Sequence, residues 1–253
     1  MLAADLSAAL DPVLFARKNL GFEPDPWQEQ ALNWTGDRLL LNCCRQSGKS
    51  TTAAIIALHR ALFYPGSLIL LVSPSLRQSS ELFKKVADEF NKLELKPKKP
   101  EDNRISLTLE NRSRIISLPS SEATIRGFSG ASLIIGDEAS RIQDDLYFAV
   151  RPMLAVNGGK LILMTTPFGK RGFFFHEWTE GGDAWERIQL TAHDCPRIPA
   201  AFLEEEEKTM PSMFFRSEYL CEFTEAIDSV FSYELVMRAI SSEVEPLFAQ
   251  IGG

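Results

Sequence analysis

Cys43-Cys44-Arg45-Gln46-Ser47-Gly48-Lys49-Ser50 is the stretch whose reading decides the fold. It follows the apolar run Leu39-Leu40-Leu41 and precedes a helix-like segment, Thr51 to Leu62. A buried strand, a tight loop ending in Gly-Lys-Ser and a helix make a phosphate-binding loop. Backbone N–H groups of such a loop, with the N-terminus of its helix, face the phosphates. Lys49 would reach the β- and γ-phosphates of a nucleoside triphosphate, and the Ser50 hydroxyl can hold Mg²⁺. Gln46, Ser47, Gly48 and Thr51 complete the cradle. Cys43 stands where the general pattern has its first Gly, and Arg45 is the third loop residue. An Arg inside the loop can hardly avoid the phosphates, where charge gathers as the γ-phosphoryl group leaves.

The second signal is Ser132-Leu133-Ile134-Ile135-Gly136-Asp137-Glu138-Ala139. An apolar strand ending in Asp-Glu puts two carboxylates at its carboxyl end, where open α/β sheets bind ligands. Asp137 would hold Mg²⁺, and Glu138 would orient and deprotonate an attacking water. Alone, Asp-Glu reads equally as an ordinary helix start; paired with Gly48-Lys49-Ser50 it reads as the hydrolytic acid pair. Met164-Thr165-Thr166-Pro167 closes a further strand. The Thr165 and Thr166 hydroxyls could bond a γ-phosphate or the attacking water, or simply cap the strand. Gln28, after Trp27 and ahead of the loop, has the donor–acceptor edge to pair with adenine; Trp27 suits the core equally well. Arg126, in Thr124-Ile125-Arg126-Gly127-Phe128, reads by itself as a solvated Arg beside a bend.

Around these motifs the chain alternates strand and helix. Ser67 to Ser73, Leu133 to Ile135, Lys160 to Thr166 and Trp185 to Leu190 are further strands, and continuous apolar runs suit a parallel sheet covered on both faces. Leu82, Phe83, Val86, Phe90 and Leu93 form one helical stripe within Leu76 to Leu93. Ile105 to Leu109 and Arg114 to Leu118 alternate as a hairpin. Leu6 to Leu20 reads as a single amphipathic helix stopped by Gly21. After Cys195, Pro196, Pro199 and Pro211 punctuate two short helices, Ala200 to Met210 and Ser212 to Tyr219. The expectation is an α/β P-loop NTPase core over 1–195, with a mainly parallel sheet flanked by helices, and a small helical lid or linker over 196–253.

With 27 Lys+Arg against 34 Asp+Glu, the net charge of −7 argues against a wholly basic nucleic-acid binder and leaves room for a local groove. Cys43, Cys44, Cys195 and Cys221 fit neither zinc spacing nor a secreted disulfide framework, and read as reduced buried thiols. The first residues do not have the pattern of a signal peptide. No stretch approaches the ~20 apolar residues of a membrane span. The Lys96, Lys98 and Lys99 cluster reads as a solvated loop, and Glu204 to Glu207 as a solvated helix face.

Taken together, the chain resembles the ATPase portion of the large terminase subunit of tailed bacteriophages. The matching residues are Arg45-Gln46-Ser47-Gly48-Lys49-Ser50, Val72 to Ser79, Thr124 to Gly127, Ile134 to Ala139, Met164 to Pro167 and Phe215 to Phe223. Arg-x-x-Gly-Lys-Ser in place of a Gly-initiated loop is typical of that family. The resemblance implies ATP and Mg²⁺ as cofactors and an ASCE-type P-loop fold. It makes Arg45 a cis sensor of the γ-phosphate, Arg126 an arginine reaching a neighbour's ATP, Thr165-Thr166 a coupling motif and Gln28 the adenine-side Gln. It also implies double-stranded DNA, a portal and procapsid, a small terminase subunit, a homo-oligomeric ring, usually a pentamer, and action in the host cytoplasm from a virus or prophage. Whether the isolated chain is a monomer is left open. Family members usually continue into a nuclease with clustered acids. The acids after Cys195 are scattered, so no nuclease activity is expected here. The rivals are a helicase-like P-loop translocase, which needs a second such domain, and a nucleotide-binding scaffold that does not hydrolyse.

Overall fold

The structure is a computed structural model that describes residues 2–99, 101–119, 127–225 and 233–239. Its helices are α1 (Leu2–Leu10), α2 (Pro12–Leu20), α3 (Pro26–Leu32), α4 (Lys49–Phe63), α5 (Leu76–Lys92), α6 (Asp144–Val150), α7 (Pro152–Ala155), α8 (Gly172–Thr179), α9 (Ala200–Thr209), α10 (Ser212–Glu218) and α11 (Tyr233–Ala239). The strands are β1 (Arg38–Cys43), β2 (Leu68–Ser73), β3 (Glu101–Asp102), β4 (Ser106–Thr108), β5 (Arg114–Pro119), β6 (Leu133–Asp137), β7 (Lys160–Thr165) and β8 (Glu186–Leu190).

One eight-stranded sheet has the order β3-β4-β5-β2-β6-β7-β1-β8. The six strands from β5 to β8 in that order are parallel, and β3 and β4 add an antiparallel edge. β7 lies between β1 and β6, so the strand feeding the phosphate loop does not touch the strand ending in Asp137. The apolar runs have a simple cause. Side chains alternate between faces, and both faces are covered. Leu39, Leu41, Ile69, Leu71, Ile135 and Ile162 join the core under α2–α5. Leu40, Leu70, Val72, Ile134, Leu161 and Leu163 join the opposite core under α6–α8. In α5 the predicted stripe is buried through Leu82, Phe83, Val86 and Phe90.

The single helix expected over Leu6 to Leu20 is two. Asp11 adopts an extended φ of −130° and accepts the Leu14 N–H at 2.9 Å, while Pro12 takes the first helical position. An N-cap Asp followed by Pro starts a new helix rather than continuing an old one. Gly21, in the left-handed region at φ 60°, stops α2 as expected.

Beyond Cys195, parts of α9 and of the segment that follows α10 pack on the core. Leu203 and Cys221 are buried in the same cluster as Cys44 and Cys195. The Asn42 amide donates to the Cys221 carbonyl at 2.9 Å, and the Ser217 hydroxyl to the Pro167 carbonyl at 2.8 Å. All four cysteines are free and buried. Among the described residues no helix is long and apolar enough to cross a membrane.

Candidate active site

The phosphate loop leaves β1 at Cys43 and enters α4 at Lys49. Gln46 sits at φ 60° and Gly48 at φ 87°. At Gly48 the glycine is required twice over. Left-handed backbone disfavours other residues, and an added Cβ would stand 2.9 Å from Gln28 Nε2 and 3.2 Å from an Arg197 nitrogen. The loop and Glu138 line an open depression of about 310 Å³, with Arg45 to Thr51 on one side. The Lys49 and Ser50 N–H groups come before the first backbone bonds of α4, in which the Thr51 and Thr52 N–H groups both donate to the Gly48 carbonyl at 3.1 Å.

Lys49 is buried, and its Nζ lies 3.2 Å from Thr166 Oγ1 and 4.0 Å from Glu138 Oε1. Thr166 Oγ1 in turn donates to the Cys43 carbonyl at 3.1 Å. The ends of β1, β7 and β6 are thereby tied through one ammonium and one hydroxyl. Glu138 has a φ of 51°, uncommon for a non-glycine residue. Its N–H donates to Asp137 Oδ1 at 2.9 Å, which fixes the turn. Burial, followed by the neighbouring Glu138 charge, raises the Asp137 carboxyl to about 6, with Lys49 opposing. Burial also raises the Cys43 and Cys44 thiols to about 12, so both stay protonated at neutral pH.

The sequence pairs Thr165 with Thr166, but successive strand residues point to opposite sides. Only Thr166 meets Lys49. Thr165 is fully buried, 2.6 Å from the Ser140 hydroxyl and accepting the Ser140 N–H at 3.3 Å. It therefore braces the turn that follows Glu138. Gln28, expected at adenine, is also buried. Its Oε1 accepts the Asp25 N–H at 2.9 Å and its Nε2 donates to Thr52 Oγ1 at 3.0 Å, so one acceptor and one donor of its amide are engaged within the protein. Arg45 does not point at the lysine: its guanidinium is paired with Glu218 at the end of α10, Nη2 to Oε1 at 3.2 Å. Arg126, with Thr124 and Ile125, lies outside the described residues.

Three features had no clear sequence signal. Lys85, on α5, lines the same depression across from the loop, yet Lys84-Lys85 in the sequence looks like any solvated helix face. Arg197 bonds Asp25 Oδ2 at 2.6 Å and the Ser47 carbonyl, holding the loop from behind across 150 residues. Glu218 supplies the Arg45 partner from 173 residues away.

The donor set suits a hard divalent cation: a hydroxyl at Ser50, at the helix start, and a carboxylate at Asp137 whose charge is disfavoured by burial and by Glu138 and would be compensated by a cation.

A family model described as "Terminase large subunit, T4likevirus-type, N-terminal" matches residues 40–238. The curated "Terminase, large subunit" of Thermus phage G20c is 28% identical over 248 residues, covering 84% of this chain and 51% of that protein. The chain thus spans about half the length of the curated relatives it matches. Among solved structures, the Thermus phage P74-26 large terminase ATPase domain superposes with a TM-score of 0.75 at 22% identity, covering 85% of this chain and 100% of that one. The large terminase of another thermophilic bacteriophage, solved in complex with ADP, gives a TM-score of 0.62 at 14% identity over 85% and 52% of the two chains. These likenesses carry the fold. The matched span covers most of the chain, including the loop, both acids and the Thr pair, and the chain accordingly belongs to the terminase large subunit family, in its T4-like-virus-type N-terminal region.

Proposed function

We propose that this chain is the ATPase portion of a DNA-packaging motor, hydrolysing ATP to drive double-stranded viral DNA into a procapsid. The observation that carries the reading is the meeting of Lys49, Thr166 and Glu138 at the carboxyl edge of a parallel sheet. Family membership supports it, as does the thermophilic-phage large terminase solved with ADP and with ATP-gamma-S.

In this reading Lys49, the loop N–H groups and Ser47 to Thr51 hold the β- and γ-phosphates. Glu138 takes a proton from water as the new P–O bond forms, and the bond to the β-phosphate oxygen breaks with its electrons leaving on ADP. Arg45 exchanges Glu218 for the γ-phosphate. Thr166 orients Lys49, while Thr165, Gln28 and Arg197 position the turn and the loop. Ser50 and Asp137 would hold Mg²⁺, which when bound neutralises phosphate charge. Arg126 would reach the ATP of a neighbouring copy. We assign residues 196–253 the part of a lid on a core of 1–195, shifted by loss of the γ-phosphate. The wider assembly is proposed to be a ring, usually pentameric, on a portal, with a small terminase subunit, in the host cytoplasm. The chemistry assigned to this chain is ATP hydrolysis without nuclease activity.

The test is phosphate release by the purified chain with Mg-ATP, with and without DNA and portal, against Glu138→Ala. Slow release by the chain alone, lost in the variant, is the expected outcome. Nucleotide binding with no release under any condition would favour the non-hydrolysing scaffold, and release untouched by the variant would remove Glu138 from the role of base.

A further inference from the structure

A second depression, of about 390 Å³, lies at the opposite end of the sheet. Leu133 and Lys160, the first residues of β6 and β7, form part of its floor, and Ile56, Arg60 and Tyr64 at the far end of α4 form a wall, with Trp34 beside them. α4 has 15 residues. At 1.5 Å per residue, about 22 Å separates this place from the phosphate loop.

Arg60 and Lys160 both line this depression, and no acid stands among its described lining residues. The Arg60 guanidinium lies over the Tyr64 ring, 4.1 Å from its centroid. Among the described residues it has no hydrogen-bond or ion-pair partner, and its Nε is buried with no acceptor. The Lys160 ammonium lies 4.8 Å from the Trp34 centroid and donates to the Thr35 and Gly36 carbonyls at 2.5 and 2.6 Å. Burial lowers the Lys160 ammonium; Asp37 opposes and Arg60 adds to the lowering, so the two cations repel each other. Trp34 Nε1 is a second buried N–H with no acceptor. Buried donors are normally satisfied. A stacked Arg that merely ends α4 favourably would explain the guanidinium position but leaves its charge beside that of Lys160 with no anion lining the depression.

We propose that this depression is a binding site for a small organic anion, a carboxylate or sulfonate carried on an aromatic or aliphatic body. The anionic group would accept from Arg60 and balance the paired positive charge. The body would lie on the Trp34 and Tyr64 rings above Ile56 and Leu133. The volume is that of small-molecule sites, which begin at about 300 Å³. The site is separate from the nucleotide and does not depend on the ATPase reading.

Isothermal titration of the whole chain tests this with 1-naphthoate, with uncharged 1-naphthalenemethanol, and with acetate. Naphthoate is expected to bind one site at least about tenfold more tightly than either partial ligand, because the charged hydrogen bond and the ring contact both contribute. Saturating Mg-ADP should leave that binding unchanged. Arg60→Gln should weaken it about tenfold or more. Tyr64→Ser, at a half-exposed position, should weaken it severalfold and serves if the first variant does not fold. Absence of naphthoate binding, equal binding of the uncharged analogue, displacement by Mg-ADP, or full affinity in a folded variant would each overturn the assignment.

Discussion

Arg45 and Glu218 are joined twice, by their side chains and by the Arg45 N–H donating to the Glu218 carbonyl at 3.3 Å. The pair ties the phosphate loop to α10. With the two side chains 59% and 20% exposed, it contributes at most about 1 kcal/mol to stability. Its weight is therefore in position, not in holding the fold. Glu218→Gln should lower the melting temperature only slightly and tighten binding of a non-hydrolysable ATP analogue about two- to fivefold, by freeing Arg45. Titration calorimetry of wild type and variant decides; weaker binding would mean that Glu218 helps the nucleotide rather than competing with it.

Glu138→Gln keeps the turn and removes the base. Turnover should fall about 10²- to 10⁴-fold, with ATP affinity within about threefold of wild type. Steady-state phosphate release alongside equilibrium binding separates the two. A matched loss of affinity would instead make Glu138 part of the binding surface.

Asp137 predicts a pH dependence. Its folded value of about 6 is above that of an unfolded aspartate, near 3.8. The folded state therefore binds more protons between these values, and stability falls as pH rises from about 4 to 6. At pH 7 and above, in metal-free buffer, this costs up to about 3 kcal/mol. Asp137→Asn should raise the melting temperature there, flatten the pH profile of unfolding, and abolish Mg²⁺-dependent turnover. Denaturation at several pH values with chelator present is the measurement. A variant less stable than wild type at pH 8 would show that the ionised carboxylate is held by partners rather than penalised by burial.

Arg197→Gln cuts both the Asp25 pair and the bond to the Ser47 carbonyl. Because it holds the loop from behind, it should raise KM for ATP severalfold while leaving kcat near wild type. A fall in kcat with KM unchanged would assign Arg197 to the reacting phosphate instead.

Arg126, proposed to act on a neighbour's ATP, is tested by mixing. Arg126→Ala and Glu138→Gln chains, each inactive alone in an assembled ring, should recover part of the activity together. No recovery in any assembled mixture would place the arginine's action within its own subunit or outside catalysis.

What the sequence revealed was local. Gly48-Lys49-Ser50 and Asp137-Glu138 are readable because each needs its neighbours in order, and the central strands because burial on two faces makes their middle residues a continuous apolar run. The break at Asp11-Pro12 is equally local, but its cap signal is masked by the amphipathic pattern that runs through it. Other features depend on distant partners. No spacing rule foretells that Arg197 reaches Ser47 or that Lys85 turns toward the loop. The different placement of Thr165 and Thr166 follows from strand alternation, but which of the two meets Lys49 depends on the register of β7 against β1.

That register has a consequence for how failure would look. β7 is laddered on both sides, to β1 and to β6. With strands about 4.8 Å apart, it keeps the backbones of β1 and β6 roughly 10 Å from each other, a gap that the Lys49 side chain crosses to within 4.0 Å of Glu138. A slip of one residue would exchange the directions of Thr165 and Thr166. Such a protein could keep most of its helix and strand content while presenting Lys49 with the wrong hydroxyl. A spectrum of secondary structure would call it native, and only its silence toward ATP would betray the shift.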